Sequence, residues 1–293
     1  MKLIDGKAIA SDIKSEIAQQ VKQMLDEGKP EPHLAAILVG DDPASHTYVA
    51  NKEKACKAAG IVSSVYKLAG NTREKEVLEL VDFLNNDDSV DGFIVQLPLP
   101  EHISSEKVIE QIDPLKDVDG FHPENFGRMA LNLPAFFPAT PAGIMEMLER
   151  SGIETPGKHC VVVGRSHTVG LPLSILLGRK REPGNATVTL CHSKTTNLSS
   201  FTNQADILIA AIGRPRFITA DMVKKNAVVI DVGIHRIPSR ETKSGYRLAG
   251  DVDFDEVAKK VSSISPVPGG VGPMTIVSLL INTLKAARKE LQR

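Results

Sequence analysis

The sequence predicts an α/β protein of two domains, the second being a doubly wound, Rossmann-type parallel sheet. Two series of apolar strands alternate with helical segments, and an irregular stretch rich in Pro, Gly and Asp separates them at 113–141. The second series opens with a strand, a glycine turn and a helix, which is how doubly wound domains begin. At 293 residues, the chain is long enough for two domains of ordinary size. We therefore expect two α/β domains with a cleft between them.

The elements of the first half follow from the spacing of apolar residues. Ile9, Ile13, Ile17 and Val21 recur at helical spacing, and this helix should end before Gly28. The segments that follow are a strand at 34–39, a helix at about 44–59, a strand at 62–68, a helix around 77–84 and a strand at 92–97. Because these strands are continuously apolar rather than alternating, we expect parallel pairing with helices on both faces.

The second half repeats the alternation. Its predicted elements are strands at 159–163, 187–191, 207–211 and 227–231, a helix at 171–177, and a final helix from 273 to about 291. The final helix is long enough to return and pack on the first domain. We therefore predict a substrate domain at 1–140, completed by the C-terminal helix at 274–293, and a cofactor domain at 141–273.

Composition excludes several classes of protein. Lys and Arg number 35 against 36 Asp and Glu, which argues against nucleic acid or an anionic membrane as a general partner. No apolar run approaches the roughly 20 residues that span a bilayer. Cys56, Cys160 and Cys191 lie far apart without a Cys-x-x-Cys pair, so we expect reduced thiols and no metal site. A cytoplasmic protein is the resulting expectation.

The glycine turn suggests a nucleotide site. Gly164 permits a tight turn after the strand, Gly170 allows close approach of the backbone, and Pro172 suits the first turn of a helix. The N-terminus of such a helix can hold phosphate. The spacing is Gly-x5-Gly rather than Gly-x-Gly-x-x-Gly, so a turn without a ligand stays an open alternative.

The polar residues around this turn favour NADP over NAD. An NAD site usually carries an acidic residue at the end of the second strand, and none follows the strand at 187–191. Arg165 beside Ser166, with Ser193 and Lys194, offers donors and positive charge suited to a 2′-phosphate.

A second group of polar residues lies in the first half. Tyr48 and Lys52 share one face of the predicted helix. Gln96 ends an apolar strand at the place where open α/β sheets bind ligands, and Asp119 could present a carboxylate to the same crevice. A solvated Lys52 and an Asp119 that only forms a turn are the alternatives.

Five motifs in order carry a family resemblance. They are Tyr48-Val49-x-x-Lys52-x-Lys54-Ala55, Gln96-Leu97-Pro98-Leu99-Pro100, Lys116-Asp117-Val118-Asp119-Gly120, Gly164-Arg165-Ser166-x-x-Val169-Gly170-x-Pro172 and Pro266-Val267-Pro268-Gly269-Gly270-Val271-Gly272-Pro273-Met274-Thr275. Together they resemble the methylenetetrahydrofolate dehydrogenase/cyclohydrolase family over essentially the whole chain.

The resemblance implies roles for these residues. Lys52 would be the catalytic lysine, supported by Tyr48 and Gln96, which also contact substrate, while Asp119 would bind the amino-pyrimidine edge of the pterin. The substrate would also contact Gly270, Pro273 and Thr275. The NADP site would consist of Gly164, Arg165, Ser166, Gly170, Ser193 and Ile234. A homodimer formed through the cofactor domains is the implied assembly.

The implied activity has two steps. NADP-dependent oxidation would convert 5,10-methylenetetrahydrofolate to 5,10-methenyltetrahydrofolate, and hydrolysis would then give 10-formyltetrahydrofolate. A dehydrogenase of another small substrate, such as a shikimate-type enzyme, and a dehydrogenase without cyclohydrolase activity are alternatives. An inactive cofactor-binding scaffold would be expected to have lost Lys52, Gln96 or Asp119, and all three are present.

Overall fold

The structure, a computed structural model, describes residues 1–239, 242 and 245–291. It divides into two compact units. The six-stranded unit comprises Met1–Ala10 and Thr140–Thr275, and the three-stranded unit comprises Ser11–Ala139 and the segment from Ile276 onward.

The three-stranded unit is a parallel sheet covered by helices. Its strands are β2 (His33–Val39), β3 (Val62–Leu68) and β4 (Gly92–Val95), in the order β3-β2-β4. The helices are most of α1 (Gly6–Asp26), then α2 (Pro43–Ala59), α3 (Glu74–Asn85), α4 (Ser105–Gln111) and α5 (Pro123–Ala130). Side chains of β2 and β4 pack with α3 in a core that includes Ile37, Phe93 and Val81. The parallel pairing predicted from the apolar strands is confirmed.

The six-stranded unit is also a parallel sheet. Its strands are β1 (Lys2–Leu3), β5 (His159–Val163), β6 (Thr187–Cys191), β7 (Ile207–Ala210), β8 (Val228–Asp231) and β11 (Ser263–Ile264), in the order β1-β11-β8-β7-β5-β6. Its other elements are α6 (Ala139–Arg150), α7 (Gly170–Gly178), α8 (Leu198–Thr202), a 3-10 turn (Ala220–Met222), an antiparallel pair of β9 (His235–Pro238) and β10 (Tyr246–Ala249), and α9 (Phe254–Val257). The final helix, α10 (Val271–Ala287), begins in this unit and belongs to the three-stranded unit from Ile276 onward. The doubly wound, Rossmann-type sheet predicted for this half is confirmed.

Three features differ from the sequence prediction. The first ten residues belong to the six-stranded unit rather than to a domain spanning 1–140, because β1 pairs in parallel with β11. The β9–β10 pair was not predicted from the sequence. The final helix ends at Ala287 instead of about 291, and Lys289 adopts a left-handed φ of 56° that the helix cannot continue through.

The helices of the described ranges include none with the length and apolar character needed to cross a membrane.

Candidate active site

Helix α2 places a lysine on its buried face. The Asp42 carboxylate caps the helix by accepting a hydrogen bond from Ser45 N at 2.7 Å, and the helix ends at Gly60, whose φ of 74° is left-handed. Val49, Lys52, Ala55, Cys56 and Ala59 are among the buried residues of this helix. Only 7% of Lys52 is exposed, so the alternative of a solvated surface charge does not hold.

The ammonium of Lys52 is held by Gln96. Lys52 Nζ donates to Gln96 Oε1 at 3.1 Å, and Gln96 Nε2 donates to Leu97 O at 2.7 Å. The second bond orients the amide so that its oxygen faces the lysine. Gln96 follows β4 rather than belonging to it, and Gln96 N still donates to Ile37 O of β2. An ammonium has three N–H donors, so this arrangement leaves capacity for another acceptor.

Asp119 and Tyr48 complete this group of the three-stranded unit. Burial raises the pKa of Asp119, and the charge of Lys52 lowers it, so the two side chains interact electrostatically. Tyr48 lies one turn before Lys52 on α2, half-buried, and burial raises the pKa of its hydroxyl. The structure therefore brings Lys52, Gln96 and Asp119 together, with Tyr48 one helical turn away.

The segment that carries Asp119 is built around a neighbouring carboxylate. Asp117 is 1% exposed and accepts hydrogen bonds from Gly120 N, Phe121 N and His122 N, and from Asn125 Nδ2. Burial raises the pKa of Asp117 to about 7, although these donors act in the opposite direction. Asp117 belongs to one of the five sequence motifs, and the sequence alone predicted no role for it. It shapes the turn on which Asp119 stands.

In the six-stranded unit, the turn after β5 requires two glycines. Gly164 has φ of 125°, and a Cβ placed there would lie 2.0 Å from Ala211 O. A Cβ on Gly170 would lie 1.9 Å from Gly164 O. Gly164 therefore packs against the backbone of the segment after β7, and Gly170, at the start of α7, packs against the backbone of Gly164. Neither position has room for a side chain.

Polar side chains of this turn stand at one edge of the sheet. Arg165 and Ser166 are exposed after β5, and Ser193 is exposed after β6. Because β5 and β6 are adjacent and parallel, their carboxyl ends lie at the same edge. Ser166 Oγ also accepts a hydrogen bond from Val169 N at 3.1 Å, which stabilises the turn. The three side chains form a group of donors with a positive charge and no acidic residue from β6.

Ile234 follows β8 at the same edge, with 48% of its surface exposed. Beside it, Asp251 is fully buried at 0% exposure and accepts a hydrogen bond from His235 Nε2 at 2.8 Å. The Asp251 carboxylate also accepts from the backbone N–H groups of Ile212, Gly213 and Arg214 at 2.6, 3.0 and 2.9 Å. Asp251 therefore joins the loop after β7 to the segment after β8. Asp251 was not predicted from the sequence, because a single acidic residue after a short strand carries no spacing signal.

A second buried carboxylate lies behind Asp251. Asp231 Oδ1 accepts from Asp251 N at 2.8 Å and from Gly233 N at 3.0 Å, and Asp231 Oδ2 accepts from Val252 N. Burial and, to a lesser extent, the charge of Asp251 raise the pKa of Asp231 to about 7, although the backbone N–H donors act in the opposite direction. These contacts fix the end of β8, where the segment carrying Ile234 begins.

The remaining predicted substrate residues lie around the start of α10 in the six-stranded unit. Gly270 is buried, and a Cβ there would lie 2.5 Å from Pro266 O, so packing within this unit accounts for the glycine. Pro273 and Thr275 are half-buried, and Thr275 Oγ1 lies 2.9 Å from Thr140 Oγ1. They thus belong to a different unit from Lys52.

Within the part of the chain that the structure describes, no group of three or more His, Cys, Asp or Glu residues is arranged to hold a metal ion. The cysteines are buried free thiols, and burial raises the pKa of both Cys56 and Cys160 to about 12.

Comparison with known proteins identifies the family. The model of the tetrahydrofolate dehydrogenase/cyclohydrolase catalytic domain matches residues 4–119, and that of the NAD(P)-binding domain of the same enzymes matches residues 138–291. The chain belongs to the tetrahydrofolate dehydrogenase/cyclohydrolase family. It is a bifunctional enzyme with dehydrogenase and cyclohydrolase activities, which removes the shikimate-type and scaffold alternatives.

Individual members of the family match along their whole length. The chain is 61% identical to the bifunctional protein FolD of Cytophaga hutchinsonii, over 98% of this chain and 99% of that one. The crystal structure of FolD from Campylobacter jejuni is 48% identical, with a TM-score of 0.93 and 99% of each chain covered. FolD from Trypanosoma brucei, solved with NADP cofactor and inhibitor, is 36% identical, with a TM-score of 0.93 over 99% of this chain and 98% of that one.

Proposed function

We propose that the chain oxidises 5,10-methylenetetrahydrofolate with NADP⁺ to 5,10-methenyltetrahydrofolate and hydrolyses this product to 10-formyltetrahydrofolate, with Lys52 as the proton-handling residue. The observation that carries the proposal is the placement of Lys52. Lys52 is a buried residue, its ammonium donates to Gln96 Oε1 at 3.1 Å, and its charge interacts with the Asp119 carboxyl group.

The first step requires orientation more than proton transfer. NADP⁺, when bound, supplies the hydride acceptor, and the folate nitrogen lone pairs stabilise the methenyl cation that forms. Asp119 would hold the pterin, since a carboxylate can accept two N–H hydrogen bonds from its amino-pyrimidine edge. Tyr48 would contact the same substrate beside Lys52.

The second step moves protons. Water adds to the methenyl carbon and loses one proton, and the hydroxyl proton of the adduct then reaches the folate nitrogen that is released when the ring opens. A group that accepts and donates protons at the reacting carbon accelerates both events. Lys52 would act as this group, and the bond to Gln96 would keep its nitrogen in place between transfers.

The side chains at the edge of the six-stranded sheet fit NADP. Arg165, Ser166 and Ser193 are exposed at adjacent strand ends, and they provide the donors that a 2′-phosphate needs. Gly164 and Gly170 would let the turn approach the pyrophosphate, and Ile234 would pack against the cofactor. The residues of the Gly270 loop, with Pro273 and Thr275, would complete the nicotinamide and substrate contacts.

We also propose a homodimer in the cytoplasm. The support is the family resemblance for the dimer and the buried, unpaired thiols for a reducing compartment. Light scattering of the purified protein should give twice the mass of one chain, and the mass of a single chain would contradict the dimer.

A spectroscopic assay tests the activity. The enzyme is mixed with methylenetetrahydrofolate and either NADP⁺ or NAD⁺, and formation and decay of methenyltetrahydrofolate are followed together. We expect formation that is fastest with NADP⁺ and decay faster than the uncatalysed hydrolysis. A preference for NAD⁺ would contradict the cofactor assignment, and decay at the uncatalysed rate would leave a dehydrogenase alone.

A further inference from the structure

We propose that Asn282 on helix α10 is a positioning residue that sets the direction in which Asp119 presents its carboxylate to the folate. This inference rests on the proposed folate-binding role of Asp119. Asn282 is 4% exposed, and its Nδ2 donates to Val118 O at 2.9 Å and to Phe137 O at 3.0 Å. One amide group of the C-terminal helix thus holds two carbonyl groups that lie 164 and 145 residues earlier in the chain.

Both peptide groups around Asp119 are held. The carbonyl of Val118 belongs to the peptide whose nitrogen is that of Asp119, and because a peptide is planar, fixing this carbonyl orients the backbone where Asp119 begins. On the other side, Asp119 O accepts a hydrogen bond from Ala139 N at 3.3 Å. The next residue, Gly120, has φ of +75°, and a Cβ there would lie 2.5 Å from the carbonyl carbon of Phe137. The two segments that Asn282 joins are therefore in direct contact beside Asp119.

The surroundings of Asn282 show why an amide is needed there. Leu279, Leu280 and Leu284 of the same helix are buried, and a carboxamide placed among such residues is costly unless its donors are bonded. Thr283, the next residue, is 0% exposed, and its hydroxyl donates to Leu279 O of the same helix. The hydrogen bond of Thr283 thus stays within α10, whereas that of Asn282 joins α10 to the segment that carries Asp119.

This difference supplies a matched pair of variants. Asn282→Leu keeps the size of the side chain and removes both donors, and Thr283→Val removes a buried hydroxyl whose bond stays inside the helix. We expect Asn282→Leu to raise the KM for methylenetetrahydrofolate about 5- to 100-fold with little change in kcat, because uniform substrate binding is lost. The KM for NADP⁺ should stay within about twofold, and Thr283→Val should leave both constants near wild type. If the leucine variant does not fold, Asn282→Ser replaces it.

A double-mutant cycle with Asp119→Asn separates positioning from a general loss of stability. If Asn282 acts through Asp119, adding Asn282→Leu to Asp119→Asn should raise the folate KM little further. Fully additive effects would overturn the inference. If Asp119→Asn raises the folate KM and Asn282→Leu does not, the inference alone fails. If Asp119→Asn itself leaves the folate KM unchanged, the proposed role of Asp119 fails first.

Discussion

Replacing Lys52 with methionine should separate the two activities of this enzyme. Methionine keeps the length and most of the apolar stem and removes the amine. The stem lies on the buried face of α2, so the variant should fold. The substitution removes one charge-assisted hydrogen bond, from Lys52 to Gln96, which destabilises the folded state. It also removes the desolvation cost of burying the lysine charge, so the net change in unfolding free energy should stay within about 2 kcal/mol.

The kinetic effect should be much larger on one step than on the other. Loss of a general acid–base group slows a reaction about 10²- to 10⁴-fold, which corresponds to about 2.7–5.4 kcal/mol of barrier. Hydrolysis of methenyltetrahydrofolate should fall by this amount. Hydride transfer moves no proton through Lys52, so it should fall less, and methenyltetrahydrofolate should accumulate when methylenetetrahydrofolate is oxidised.

The assay measures both steps with purified enzyme. Hydrolysis is followed from added methenyltetrahydrofolate, with the uncatalysed rate subtracted, and oxidation is followed with NADP⁺. Lys57→Met is the matched control, since Lys57 is an exposed lysine of the same helix and its loss should change neither rate. A folded Lys52→Met enzyme that hydrolyses methenyltetrahydrofolate near the wild-type rate would refute the proton-handling role.

Three further predictions concern the cofactor edge and the buried carboxylates. Arg165→Ala should raise the KM for NADP⁺ about 10- to 100-fold and the KM for NAD⁺ far less, because one charge-assisted phosphate contact contributes about 1.5–3 kcal/mol. Equal effects on the two KM values in steady-state kinetics would contradict the 2′-phosphate role of Arg165. Asp251→Asn should weaken binding of NADP⁺ and NAD⁺ alike. It should also lower the free energy of unfolding by about 2–4 kcal/mol in urea titrations, because backbone N–H groups of the loop after β7 lose their acceptors. A selective effect on NADP⁺ binding would count against this role. Asp117 has a pKa of about 7 in the folded protein against about 3.9 when unfolded, so the folded state binds the proton more tightly and stability should rise as pH falls from 8 to 5.5. The pKa of Asp231 is also raised to about 7, so Asp231 contributes to the same rise and Asp117→Asn should reduce the slope without abolishing it. An unchanged slope in urea unfolding across this pH range would show that Asp117 is not one of its sources.

Much of the fold could be predicted from the sequence because its signals are local. The strands at His159–Val163 and Thr187–Cys191 have the predicted bounds, since continuous apolar runs between turn residues mark buried parallel strands. Gly164 and Gly170 were recognisable because a tight strand-to-helix turn excludes a Cβ at both positions, as the structure bears out. The i, i+4 spacing of Tyr48 and Lys52 predicted that they share one face of the helix.

The tertiary structure decided what depends on residues far apart in the chain. The sequence of α2 alone does not determine whether Lys52 is solvated or buried, nor that Lys52 donates a hydrogen bond to Gln96. β1 and β11 pair residues about 260 positions apart in the chain. Each strand has only two residues, which is too short for an apolar pattern to predict it. Asp251 and Asn282 are single polar residues whose hydrogen-bond partners lie 16 to 164 positions away in the chain. A single residue shows no sequence periodicity from which its partners could be predicted. Their roles arise when folding brings unsatisfied backbone groups to them, because buried donors and acceptors must find partners wherever the chain places them.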